Sequence, residues 1–226
     1  MTSADPVREP EPRPEQREGP SSAEPEILTH VTPGYLAAWA STRLAYTLYF
    51  RERLEGREHI PPTGGVLIVA NHQSFLDIPL VSHVVPRHVS FVARDTLAQS
   101  RPLAWLMRTC GAVLIKRGAN DRAALREAAL HLERGDVVAM FPEGTRTPDG
   151  SVQPFRSGAV VAARLAKVPI VPCAIRGAFQ AMGRGKGFPR PAKMRATLLP
   201  PIDSALPDAL ERARAAIIAV VGDGRS

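Results

Sequence analysis

At 226 residues, with 44% hydrophobic and 23% charged residues, the chain is long enough for one α/β domain with a large core plus a tail. The formal charge of +7 is uneven: Met1–Glu26 hold three arginines against seven carboxylates, a net −4, which leaves +11 on the remaining body. Cys110 and Cys173 both lie in apolar stretches and read as reduced core thiols of a cytosolic protein, excluding a disulfide framework, and the basic body calls for an anionic partner: nucleic acid, a membrane surface or a phosphorylated small molecule.

Residues 1–26 are rich in Pro, Glu and Ser and lack an apolar run, so a disordered acidic tail and no signal peptide are expected there. Residues 29–54 are expected to form an amphipathic helix. Tyr35, Trp39, Tyr46 and Tyr49 recur at helical spacing, and Arg43, Arg51 and Arg53 add positive charge, as in a helix lying in a membrane interface. Ordinary packing on the core explains the same pattern, and Arg43 interrupts an apolar stretch too short to span a bilayer.

Residues 55–222 then alternate strands and helices. Val66–Ala70 is a continuous apolar run, as in a strand buried on both faces. A helix near Ile78–Val85 follows, then a strand Val89–Ala93, a helix Thr96–Thr109 and a strand Ala112–Ile115. The next helix starts at Asn120 or Asp121, carries Ala124, Leu125, Ala128, Ala129 and Leu132 on one face and stops at Gly135. A strand Val137–Phe141, a helix Gly158–Lys167, a strand Ile170–Ile175, a strand near Met194–Leu199 and a helix Pro207–Val221 complete the domain. The expected fold is therefore a single α/β domain, with a mostly parallel central sheet flanked by helices and an N-terminal amphipathic helix.

Polar residues follow the strands at their carboxyl ends, where open α/β sheets bind ligands. His72 and Asp77 come after the first apolar strand. An imidazole with an ordinary pKa of about 6.5 can take a hydroxyl proton near neutral pH, and Asp77 would fix its tautomer if a helix capped by Ser74 brings the carboxylate back. Two local polar residues also serve simply as caps. Arg94 ends the second strand, Lys116 and Arg117 the third, and Glu143, Gly144, Thr145 and Arg146 the fourth. Glycine lets the backbone approach a ligand, and a planar guanidinium holds a phosphate through two hydrogen bonds. If these strands are parallel, their ends share one crevice. There is no G-x-S-x-G elbow, the Gly183–Lys193 loop lacks the P-loop pattern, and no His/Cys spacing suggests zinc.

N-H-Q-S-F-L-D at 71–77, G-A-V-L-I-K-R at 111–117, F-P-E-G-T-R at 141–146 and V-P-I-V-P-C-A-I at 168–175 resemble the four ordered blocks of the glycerolipid acyltransferases. The resemblance is strongest to the bacterial 1-acylglycerol-3-phosphate acyltransferases. It implies acyl transfer to the sn-2 hydroxyl of a lysophospholipid acceptor. His72 would be the catalytic base and Asp77 its partner, Arg94, Arg117, Glu143, Gly144, Thr145 and Arg146 would hold phosphate and glycerol, and Pro172 would stand on the acyl-donor side. It also implies acyl-CoA or acyl-carrier protein as co-substrate, no cofactor and no metal, an anionic membrane surface on the cytoplasmic face as partner, and no nucleic acid. The family's usual Lys-x-Glu-Leu is Arg94-Asp95-Thr96-Leu97 here, and Lys116 stands where Asp is frequent. A thioesterase would use the same His72 and Asp77 but needs no phosphate cluster. A basic membrane or nucleic-acid binding module would explain the charge but not the histidine block.

Overall fold

A computed structural model describes residues 33–94, 113–115, 121–185 and 187–222. The expected tail, the helix Thr96–Thr109, Cys110 and Arg117 lie outside the described residues.

The apolar runs become strands, as their composition requires. In chain order the helices are α1 (Pro33–Tyr49), α2 (Asp77–Val84), α3 (Asp121–Glu133), α4 (Gly158–Ala166), α5 (Ala178–Met182) and α6 (Ala209–Val221). The strands are β1 (Arg53–Glu55), β2 (Val66–Ala70), β3 (Val89–Arg94), β4 (Val113–Ile115), β5 (Val137–Met140), β6 (Ile170–Arg176) and β7 (Arg195–Leu198). They form one sheet in the order β1-β7-β6-β2-β5-β3-β4. The five strands from β6 to β4 are mutually parallel, β7 runs antiparallel to β6, and β1 is parallel to β7.

β2 lies at the centre with all five residues buried. Its side chains alternate between two cores, as the period of a strand dictates. Val66, Ile68 and Ala70 face a layer made by α1, α2 and α5, whereas Leu67 and Val69 face one made by α3, α4 and α6. Each of the valine, leucine and isoleucine side chains contributes roughly 1.5–3 kcal/mol by leaving water, and Ala70 less. The sheet is thus covered on both sides, and polar groups gather at its carboxyl edge.

The N-terminal helix is shorter than the expected 29–54 segment. It ends at Tyr49, Arg51 takes a left-handed backbone (φ 46°), and Arg53 already pairs with β7. Glu52 is drawn into the interior, where its carboxylate receives Arg43 and the His83 Nδ1 (3.0 Å). Tyr46 and Phe50 are buried in the core, and the Trp39 indole donates to the Ser82 carbonyl (3.2 Å). Two of the aromatic residues expected at a membrane therefore anchor α1 to α2. Leu36, Leu44 and Leu48, spaced for one helix face, and Tyr49 stay exposed.

Candidate active site

The turn after β2 is tied down residue by residue. Asn71 bridges to β6: its Nδ2 donates to the Ile175 carbonyl (3.0 Å) and its Oδ1 accepts from the Ile175 N–H (2.8 Å). Gln73 donates from Nε2 to the Gly150 carbonyl (3.2 Å) and accepts from the Phe179 N–H (3.3 Å). The Ser74 hydroxyl donates to the Met182 carbonyl (2.6 Å). Ser74 is not the helix cap expected from sequence: α2 begins at Asp77, and the serine oxygen instead accepts from the Leu76 N–H (3.2 Å).

The aspartate instead closes the turn that precedes the helix. Asp77 Oδ2 accepts from the backbone N–H groups of Gln73 (2.6 Å) and Ser74 (2.8 Å) and lies 2.9 Å from His72 Nδ1. Burial pushes its carboxyl above the ordinary value, while the bonds from His72, Ser74 and Gln73 pull the other way. With an anionic Asp77 the Nδ1 carries the proton, which leaves Nε2 as an acceptor. The imidazole stacks on Phe141 (centroids 4.1 Å apart, 19° between planes), and its side chain is 15% exposed.

The backbone of His72 is clamped by the loop after β5. Its N–H donates to Glu143 Oε1 (3.0 Å), and its carbonyl accepts from the Thr147 N–H (2.8 Å). Glu143 is buried, and burial pushes its carboxyl up from 4.5 to about 7, with the His72 and Gln153 N–H groups opposing. Its carboxylate thus braces the histidine turn. Gly144 has φ 73°, a left-handed conformation that favours glycine, whereas the nearby Arg156 guanidinium, at the end of a flexible side chain, could yield to a Cβ.

Arg146 comes from the same loop. Its guanidinium carbon sits 3.8 Å over the Phe75 ring, and burial together with the charge of Arg184 pulls its pKa down. No carboxylate pairs with it among the described residues. Arg184, in the loop after α5, is a second cation at this place that the strand-end pattern does not reveal; its only sequence signal is the basic Gly/Pro-rich composition of that loop. Thr145 is exposed beside Arg146.

β3 runs parallel to β5 and β4, so the Arg94 backbone reaches the same edge as His72. Pro172 does not reach that edge. It is buried within β6 opposite Val69, and its carbonyl accepts from the Leu199 N–H at the end of the β7 ladder (2.9 Å). The backbone N–H groups of Gln73, Ser74, Leu76 and Asp77 are all used inside the protein and cannot serve an oxyanion. Among the described residues no three His, Cys, Asp or Glu side chains gather as a metal site.

The model of the Acyltransferase family matches residues 51–176, which hold the His72 turn, the Arg146 loop and all five parallel strands. The chain belongs to the Acyltransferase family. Its fold resembles the crystal structure of the 1-acyl-sn-glycerophosphate (LPA) acyltransferase PlsC from Thermotoga maritima, with a TM-score of 0.70 and 31% identity over 84% of this chain and 78% of that one. A 1-acyl-sn-glycerol-3-phosphate acyltransferase alpha of Mus musculus is 36% identical over 167 residues, 70% of this chain and 57% of the relative. A lyso-ornithine lipid O-acyltransferase of Pseudomonas aeruginosa is 34% identical over 142 residues, 62% of this chain and 53% of the relative. The chain spans about half the length of these curated relatives.

Proposed function

We propose that this protein moves a fatty acyl group from acyl-CoA or acyl-carrier protein to the sn-2 hydroxyl of 1-acylglycerol-3-phosphate, forming phosphatidate without an acyl-enzyme. The observation that carries this reading is the 2.9 Å contact between His72 Nδ1 and the buried Asp77, which frees Nε2 to act as a base on the turn whose Phe75 carries Arg146, a cation with no carboxylate partner among the described residues. Nε2 takes the hydroxyl proton as the oxygen attacks the thioester carbonyl. The tetrahedral adduct then collapses, the C–S bond breaks, and the imidazolium returns the proton to the leaving thiolate. Ester and free thiol result, and the histidine is restored. A positioned base of this kind contributes about 10² to 10⁴ in rate.

Arg146, Arg94 and Arg117, joined by Arg184, hold the acceptor's phosphate, while Glu143 and Gly144 shape the loop that presents them. No cofactor takes part. The exposed leucine face of α1 docks on the cytoplasmic face of the membrane, where the single-chain lysolipid enters and the two-chain product leaves at the sheet edge. Among the described residues no helix is long and apolar enough to cross a membrane, in keeping with docking from one side.

A second acceptor is favoured by one observation: the relative named for lyso-ornithine lipid matches nearly as well, and Thr96 replaces the carboxylate usual after the second strand. Purified full-length protein given one acyl-CoA and a panel of lysolipids separates the two readings. Lysophosphatidate should be acylated with the highest kcat/KM. Preference for lyso-ornithine lipid would move the arginines from phosphate to carboxylate recognition, and thioester hydrolysis without transfer would overturn the proposal.

A further inference from the structure

Three neighbouring strands bring cations together on the β6 side of the His72 turn. Arg176 on β6 stands opposite Arg195 on β7, which stands opposite Arg53 on β1. With Arg51, Lys193 and Met194 they line a pocket of about 340 Å³. Only Arg195 has a carboxylate in reach, the exposed Glu55 at 3.5 Å; among the described residues Arg51, Arg53, Arg176 and Lys193 make no ion pair. Like charges set opposite each other across strands are destabilising unless an anion joins them. Arginines offer forked donors that suit a phosphate.

The neighbouring surface says what kind of phosphate. A second hollow of about 560 Å³ shares Arg51 and Lys193 and is otherwise walled by Leu48, Tyr49, Pro191 and Ala192. Leu48 is 71% exposed, and Phe188, on the loop leading into Lys193, is 82% exposed. A soluble phosphate has no use for this apolar wall, whereas a lipid has use for both halves. Arg51 joins the two hollows and holds a left-handed backbone that glycine would adopt without steric cost.

We propose that this double hollow at the carboxyl end of α1 is a headgroup site for an anionic phospholipid of the bilayer. It is distinct from the acceptor site: it spreads over β6, β7 and β1, whereas Arg146 follows β5 on the other side of β2. Arg53 lies three strands from β2, about 14 Å at the usual strand spacing. The inference rests on α1 docking to the membrane, not on the reaction.

The test is flotation of full-length protein with vesicles of phosphatidylcholine alone and of phosphatidylcholine with one-fifth phosphatidylglycerol. It compares wild type, Leu44→Ser/Leu48→Ser, and Arg53→Gln/Arg176→Gln/Lys193→Gln, with thermal melts to confirm folding. Wild type should prefer anionic vesicles. The triple variant should lose on the order of 100-fold in partition onto them, since each cation near an anionic surface contributes roughly five-fold, while its weaker binding to neutral vesicles stays unchanged. The leucine variant should lose binding to both. If the leucine variant floats like wild type, α1 does not dock and the premise fails. If wild type prefers anionic vesicles and the triple variant does too, the headgroup site is overturned while docking stands. If adenosine 3′,5′-bisphosphate raises the melting temperature of wild type but not of the triple variant while both float alike on anionic vesicles, the pocket serves a soluble phosphate and the lipid assignment is also overturned.

Discussion

In the turn from Asn71 to Asp77 each polar side chain has a hydrogen-bond partner within the turn or beyond it, whereas among the described residues Arg146 and the cations at the end of α1, Arg195 excepted, stand without carboxylate partners. The contrast separates two ways of building a binding surface. A base has to be held in one tautomer and one orientation before substrate arrives, so the fold fixes its neighbours in advance. A phosphate-binding cation gains most when its counter-charge comes from the ligand, so the fold leaves it open. If this division holds, changes in the first region alter the rate of chemistry and changes in the second alter the affinity for phosphate-bearing partners.

The largest effect is expected at the dyad. Replacing His72 by Ala should lower kcat by about 10² to 10⁴ with KM for the acceptor little changed, and Asp77→Ala should follow it, because the buried carboxylate fixes the ring. Steady-state kinetics on folded protein decide the matter, and a variant keeping more than about a tenth of the wild-type rate removes His72 from the mechanism. Arg146→Ala comes next. A lost charge-assisted hydrogen bond costs roughly 1.5–3 kcal/mol, so a 10- to 150-fold fall in kcat/KM for lysophosphatidate is expected. Hydrolysis of acyl-CoA by water should be spared, and lysine should rescue only part of the transfer. A parallel fall in both activities would place Arg146 in the held region instead.

Glu143 lies on the border between the two regions, and pH exposes which side it serves. Its folded pKa is raised from 4.5 to about 7, so the protonated acid favours the native state. That contribution is complete below pH 4.5 and is lost as pH rises through 7. Glu143→Gln cannot ionise and keeps an oxygen for the His72 N–H, so its melting temperature should gain on wild type between pH 5 and about 7 and level off above it. Identical pH slopes for the two proteins would mean that Glu143 is already charged at pH 5.

The central strands and α3 were readable because each is a continuous or strictly periodic apolar run whose burial leaves no alternative: Val66–Ala70, Val89–Arg94 and Asp121–Glu133 end within about one residue of their expected limits. The pairing of His72 with Asp77 was readable because both lie on one short turn. Other features depend on partners far along the chain. β1 is three residues long and exists because Arg53 meets Arg195 across 142 positions, a relation that no local pattern announces. β7 reverses direction for a similar reason. Glu143 stands out because it lies in the block that resembles the family's glycerol-phosphate motif; that its side chain also receives a backbone N–H 71 positions earlier is a relation no local pattern announces. Ser74 looked like a cap because serine usually is one, but its hydroxyl is drawn to the Met182 carbonyl 108 positions later.

The smallest expected effect tests whether the two regions are coupled through α1. Tyr46 is buried beneath the turn, donates its hydroxyl to the Leu76 carbonyl (3.0 Å), and meets Phe50 and His83 edge-on at 5.0 Å. Burial, with the charges of Asp77 and Glu52, pushes the phenol pKa far up, so it remains a donor throughout the working pH range. Tyr46→Phe keeps the ring contacts and removes one neutral hydrogen bond, worth about 0.5–1.5 kcal/mol. A chain of this size should then melt about 1–6 °C lower. Because Asp77 has its own three bonds to the turn, kcat/KM should change less than about three-fold. A fall above ten-fold with so small a loss of stability would mean that α1 sets the aspartate's position, and that membrane docking and catalysis are one device instead of two.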